Sequence, residues 1–210
     1  MRLRNALPFA AMGLLLSMAV NADEAADHYQ RGVRLHKQAQ YQLAAAAFRE
    51  AIKLAPRDDR ALTGLGVTLY AVGKTTEAAE QWRQALRYNP RNISAQVNLG
   101  SALVDLGKPE EAITACRAAL ALDQQSVGAH YNLGRAYARL RKVNQAIAEY
   151  EAALRLNPKF PGAWLALGTL HANITKRPAE AVRCFDRYLQ LVPKPPDCIC
   201  WIKAYADKHR

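Results

Sequence analysis

No apolar run in this chain reaches the roughly 20 residues that a bilayer-spanning helix needs. The longest, Ala6 to Val20, stops at about 15. No cysteine stands just after that run, so nothing there can receive a lipid. No Gly-rich phosphate loop follows a strand, and neither a serine elbow nor a zinc-binding helix motif appears. The five histidines, His28, His36, His130, His171 and His209, are scattered. These absences exclude a spanning protein and leave no catalytic constellation, so the chain reads as non-enzymatic, with no cofactor and no metal. Strand formers are sparse as well. Ala, Leu, Glu, Gln, Lys and Arg dominate between the Gly and Pro residues, which favours an all-α fold.

Four cysteines offer little more. Cys116 falls in a core position and behaves as a small hydrophobe. Cys184, Cys198 and Cys200 lie near the C-terminus, where one disulfide could tie the end of the chain to the preceding helix. Asp197-Cys198-Ile199-Cys200-Trp201 is not a haem-attachment sequence, which requires C-x-x-C-H. A metal site from Cys198, Cys200 and His209 would lack a fourth ligand.

What the N-terminus does hold is a secretory signal: Arg2 and Arg4 precede the apolar run, which ends in Val20-Asn21-Ala22. Residues 1–22 are expected to be removed before Asp23, with Ala19 as the alternative cleavage position, placing the product in the periplasm or outside the cell. Removal takes away two arginines and no acid. That leaves 27 basic against 18 acidic residues, a net charge of +9. Such a surface favours acidic proteins, anionic glycans or lipid headgroups.

The rest of the chain repeats itself. Gly32, Gly66, Gly100, Gly134 and Gly168 stand 34 residues apart at every step. Ala44, Ala78, Ala112 and Ala146 keep that step, as do Ala51, Ala85, Ala119 and Ala153, and Leu65, Leu99, Leu133 and Leu167. Phe48, Trp82 and Tyr150 hold the same register. Within a unit, Ala129, Leu133 and Tyr137 mark one helix, and Ala146, Ile147, Tyr150, Ala153 and Leu154 a second. Pro56, Pro90 and Pro158 close units just past the second helix. Small residues let two helix backbones approach while a large one fills the remaining gap.

This pattern, a Leu-Gly pair, an aromatic, spaced alanines and a closing proline on a 34-residue period, resembles the tetratricopeptide repeat. The resemblance implies an all-α, right-handed solenoid of five helix pairs at 25–58, 59–92, 93–126, 127–160 and 161–195. A C-terminal capping helix follows over 196–210, starting at Asp197 with Ile199, Ile202 and Tyr205 on one stripe. Departures are informative. Arg31 and His28 replace core residues in the first unit, as suits an end that faces water. Cys116 takes the aromatic position of the third unit and Gln124 that of its proline, making it the least regular joint. The fifth unit has 35 residues, the extra one lying between Asn173 and Pro178, and Tyr188 replaces a small Ala. His130 and His171 read as packed core histidines, and acids such as Glu149, with Arg155 nearby, as solvated.

The resemblance further implies that the first helix of each unit lines a concave groove. It places Tyr29, Val33, His36, Lys37, Thr63, Val67, Tyr70, Val97, Asn98, Ser101, Tyr131, Asn132, Arg135 and Arg139 on the inner wall. Rings, amides and guanidinium groups there suit a peptide, with Tyr131 and Arg135 forming a ring-and-fork pair for an acidic side chain. The family's carboxylate clamp is not supported, because only its Asn element is present, at Asn98 and Asn132. The expected function is a non-catalytic scaffold or adaptor of the cell envelope binding an acidic protein or peptide, with contact at a membrane surface open but no span. Nucleic acid is disfavoured by the strict 34-residue step and the export signal. A thiol-redox or metal-handling protein built on Cys198 and Cys200 is the alternative.

Overall fold

The computed structural model describes residues 9–194 and 201–209, with side chains from residue 21 onward. All regular structure among them is helical: α1 (Phe9–Lys37), α2 (Tyr41–Leu54), α3 (Asp59–Ala71), α4 (Thr75–Tyr88), α5 (Ile93–Asp105), α6 (Pro109–Leu122), α7 (Val127–Arg139), α8 (Val143–Leu156), α9 (Pro161–Leu170), α10 (Pro178–Leu191) and α11 (Trp201–His209). The helix pairs are those of an all-α solenoid. Two compact units divide the chain, residues 1–95 and residues 96–210.

In the first unit α1 packs on α2, α2 on α3 and α3 on α4. The small-against-large pairing sets these crossings. A Cβ placed on Gly32 would lie 2.8 Å from the Phe48 ring, and one on Gly66 would lie 2.5 Å from Trp82 Nε1. Trp82 is fully buried, and its Nε1 donates to the Thr63 carbonyl at 3.2 Å, so the ring cannot retreat cheaply. Asp58 caps α3, its carboxylate accepting the Arg60 backbone N–H at 2.9 Å and the guanidinium at 3.0 Å. Burial pushes the Asp58 carboxyl up, but the Arg60 hydrogen bonds outweigh it and leave the group below its ordinary value.

In the second unit the same device recurs at Gly100 against Cys116 Sγ, Gly134 against the Tyr150 ring and Gly168 against the Phe185 ring. Ala112, Ala146 and Ala181 are fully buried alongside them. The joint without a proline is built by other means. Asp123 Oδ1 accepts the Gln125 N–H at 2.9 Å, and Ser126 caps α7 through Ala129 N. The extra residue of the fifth pair is absorbed where α9 widens into a π-helical turn, His171–Thr175, closed by Lys176 in the left-handed region. Thr175 Oγ1 donates to the His171 carbonyl and accepts from His171 Nδ1 at 3.1 Å. Tyr188, where other pairs carry Ala, packs with Phe185 against Ile202 of α11, so the larger ring fills space that the terminal helix covers.

α1 runs unbroken from Phe9, within the apolar N-terminal run, into the first pair. Among the described residues no helix is long and apolar enough to cross a membrane. Two expectations change. Cys184 is a free thiol and fully buried, and burial pushes it up to about 11, so it does not tie the last helix down. Burial pushes Cys116 up to about 12. Asp197, Cys198, Cys200 and Ile199 lie outside the described residues, as do Arg2 and Arg4. Glu149 is not simply solvated. Its carboxylate takes His130 Nδ1 at 2.7 Å, while His130 Nε2 meets the Gln124 carbonyl at 3.2 Å, making His130 a half-buried bridge and not a core residue.

Candidate binding groove

The inner-wall residues expected in the first unit are mostly engaged with their neighbours. The Tyr29 ring tilts against Phe48 at 5.9 Å and carries the Arg60 guanidinium at 5.3 Å. His36 Nδ1 meets the buried Thr68 hydroxyl at 3.1 Å, with its ring edge-on to Tyr41. Tyr70 leans on Trp82 at 5.9 Å. These rings serve the packing of α1 to α4.

The second unit is different. Its α7 presents Tyr131, Arg135 and Arg139 along one edge, at the four-residue spacing that puts side chains on a single helical face. All three line one open cavity of about 430 Å³. That volume falls within the range of ligand clefts. The opposite wall comes from α9 through Leu165, Thr169 and Leu170, and from the π turn through Asn173 and Ile174. Tyr150 and Val104 close the floor.

Tyr131 is a fixed wall. Phe160 meets it edge-on at 4.9 Å, and Tyr150 lies 5.9 Å away. Burial raises its hydroxyl above the ordinary tyrosine value, keeping it a neutral donor. Gly162 belongs opposite, since a Cβ there would sit 3.3 Å from the Tyr131 hydroxyl.

Arg135 is committed. Its guanidinium bonds Asp105 at 2.5 Å and Ser101 at 3.2 Å while lying 5.8 Å from the Tyr131 ring centre. It therefore positions the wall, and the expected ring-and-fork pair does not present a free fork. Asn132 is not on the groove surface at all. It is buried, and its amide donates to the Val97 carbonyl at 3.1 Å. Asn98 is half-buried on α5 and is absent from the cavity lining. Arg139 is exposed at the cavity mouth with no ion pair or side-chain hydrogen bond among the described residues.

The α9 wall escaped the reading of inner-wall positions, although its signal was present. Adding 34 to 131, 135 and 139 gives Leu165, Thr169 and Asn173. Ile174 could not be found that way, because the π turn rotates it out of register.

A family model described as the tetratricopeptide repeat matches residues 29–71, 64–127 and 131–196. The chain belongs to the tetratricopeptide repeat family. Its fold is that of a protein-interaction scaffold, with protein or peptide partners. Among solved structures it is similar to TTC0263, a thermophilic tetratricopeptide repeat protein of Thermus thermophilus. They share 25% identity and a TM-score of 0.72 over 86% of this chain and 98% of that one. PilW, a type IV pilus biogenesis factor, matches with 22% identity and a TM-score of 0.76 over 88% of this chain and 90% of its own. YrrB, whose peptide-binding site is described as unusual, matches with 21% identity and a TM-score of 0.67 over 92% and 97%. No curated protein matches the sequence. Likenesses at 21–22% establish the fold and nothing finer.

Proposed function

We propose that this tetratricopeptide repeat protein is a non-catalytic adaptor of the cell envelope that seats an extended peptide segment in the groove between α7 and α9. In this reading residues 1–22 are a cleaved signal, five repeats occupy 25–195 and residues 196–210 cap them. The observation that carries the proposal is the cavity itself. A fixed aromatic wall, an aliphatic wall and an unengaged guanidinium converge on a space sized for side chains. Aromatic rings and arginines are the residues in which binding hot spots are enriched. Export is supported by the charged start and the apolar run, and similar folds include a pilus biogenesis factor and a peptide-binding protein.

The test has two arms. A random displayed peptide library is panned against the protein lacking residues 1–22, and selected peptides are titrated against wild type and Tyr131→Ala/Arg139→Ala. Affinity should fall at least tenfold in the double variant, since such anchors typically contribute about 2 kcal/mol or more. Equal affinities would move the binding surface elsewhere. Independently, mass spectrometry of the protein recovered from an envelope fraction should find Asp23 at the N-terminus, and an intact Met1 would end the export reading.

A further inference from the structure

Between the two helices of every pair one residue adopts a left-handed backbone, in a shared tight turn in the first four pairs and after the π turn in the fifth. Ala39, Gly73, Gly107, Arg141 and Lys176 have φ of 57°, 80°, 71°, 56° and 55°. Glycine takes this conformation freely, as at 73 and 107, whereas a side chain is strained in it. The fourth and fifth pairs nonetheless carry cations there. Ala39 shows that the turn tolerates a side chain in this conformation, so what sets these two turns apart is the charge the left-handed residue carries.

The next position reinforces this. It is a cation in four turns, but in two of them a glutamate three residues on neutralises it: Lys74 with Glu77 at 3.0 Å, and Lys108 with Glu111 at 3.6 Å. In the fourth turn that glutamate is replaced by Gln145, leaving Lys142 without it. The fifth has Arg177 and Glu180 with no ion pair between them among the described residues. Arg141, Lys142, Lys176 and Arg177 are all exposed, and none forms a side-chain bond among the described residues.

Both turns directly follow residues that line the groove. Arg139 and Ile174 line the same cavity, and each is followed two residues later by its left-handed cation. Arg139 lines the cavity, and the other four cations stand within three residues of Arg139 or Ile174 along the chain, while Ile174, 45% exposed, offers an apolar contact.

We propose that this rim is the second half of a bipartite site: the groove holds a short apolar stretch of a partner protein, and a run of carboxylates flanking that stretch lies across Arg139, Arg141, Lys142, Lys176 and Arg177. The inference rests on the groove reading and specifies its ligand. The acidic part is read by the rim and not by Arg135, which Asp105 already occupies. Charge complementarity of this kind confers specificity and speeds encounter, and it is screened by salt.

The experiment uses two displayed libraries with the same randomised six-residue core, one flanked by four glutamates and the other by four glutamines. Each is panned on the protein lacking residues 1–22. The rim variant is Arg141→Gly/Lys142→Gln/Lys176→Gly, in which glycine matches the residue that other turns use, so the fold is retained. Binders should come from the glutamate library, lose at least tenfold affinity in the rim variant, lose it also in Tyr131→Ala, and weaken with added salt. Equal yield from the glutamine library, insensitive to the rim variant, would overturn the inference while leaving the groove reading intact. Glutamate-flanked binders insensitive to Tyr131→Ala would overturn both, as would no binders from either library. Sedimentation with phosphatidylglycerol vesicles that the rim variant abolishes, without peptide selection, would assign the rim to a lipid surface and overturn the proposal.

Discussion

The turn between α3 and α4 in the first unit and the turn between α7 and α8 in the second have the same backbone and opposite chemistry. Gly73 takes the left-handed position without strain, and Lys74 is neutralised by Glu77. Arg141 takes it with strain, and Lys142 is followed by Gln145. Folding needs the conformation in both places and the cations in neither. What distinguishes the α7–α8 turn is therefore not required for packing, which is why the groove mouth beside it reads as a functional surface. On the inner walls Tyr29, His36 and Tyr70 are engaged with neighbours, as Tyr131 and Arg135 are in the second unit, whereas Arg139 is not.

The largest effect should come from breaking what the two units share. Gly134→Leu drives a side chain into the Tyr150 ring, which a Cβ alone would already approach to 2.7 Å. Overpacking of this kind costs about 1–3 kcal/mol. Because pairs couple only to their neighbours, thermal unfolding followed by circular dichroism should also lose its two-state form. An unchanged melting curve would mean that the crossing is not tight there. Gly73→Leu, by contrast, meets nothing within 4 Å and should cost only the backbone strain.

This contrast also marks how far the sequence could be read. Period and residue size specify the crossings, because Gly32, Gly66, Gly100, Gly134 and Gly168 each face a large or soft side chain that a Cβ would meet at under 3 Å. The site was legible only where it follows the period. Tyr131 and Arg139 were found on it; Asn132 was misplaced because a polar residue one position from the wall can turn inward to a carbonyl. Ile174 and the strained cations were invisible, since one depends on an inserted residue and the others on φ.

A reciprocal exchange sharpens the comparison directly. Arg141→Gly relieves left-handed strain, and after allowing for glycine's larger unfolded-state entropy it should stabilise the protein by about 0.5–1 kcal/mol. Gly73→Arg should destabilise it by a similar amount, about 0.5–1 kcal/mol. Urea denaturation of the two variants should show midpoints displaced in opposite directions with unchanged slopes. If Arg141→Gly were destabilising instead, the arginine would have a structural role and the contrast between the turns would fail.

The smallest difference lies in the caps of α3 and α7, which do the same work with different groups. Asp58 accepts the Arg60 N–H as a carboxylate, whereas Ser126 accepts the Ala129 N–H through a hydroxyl that does not titrate in the acid range. The folded-state value of Asp58 is held below the ordinary one of 3.8. Its contribution is therefore fully present above about 3.8 and is lost as pH falls through the lower folded-state value. Cap removal costs about 1 kcal/mol, and protonation should cost no more than that. Amide protection factors, corrected for intrinsic exchange, should then hold level for α3 down to about pH 4 and fall as pH drops below about 3.8. Those of α7 should not fall through its cap, because nothing in that cap changes charge. In Asp58→Asn the acid-dependent loss in α3 should disappear, since Asn caps a helix about as well as Asp. A loss of equal size in both helices, unaffected by Asp58→Asn, would show that acid acts through net charge on the whole chain and not through the cap.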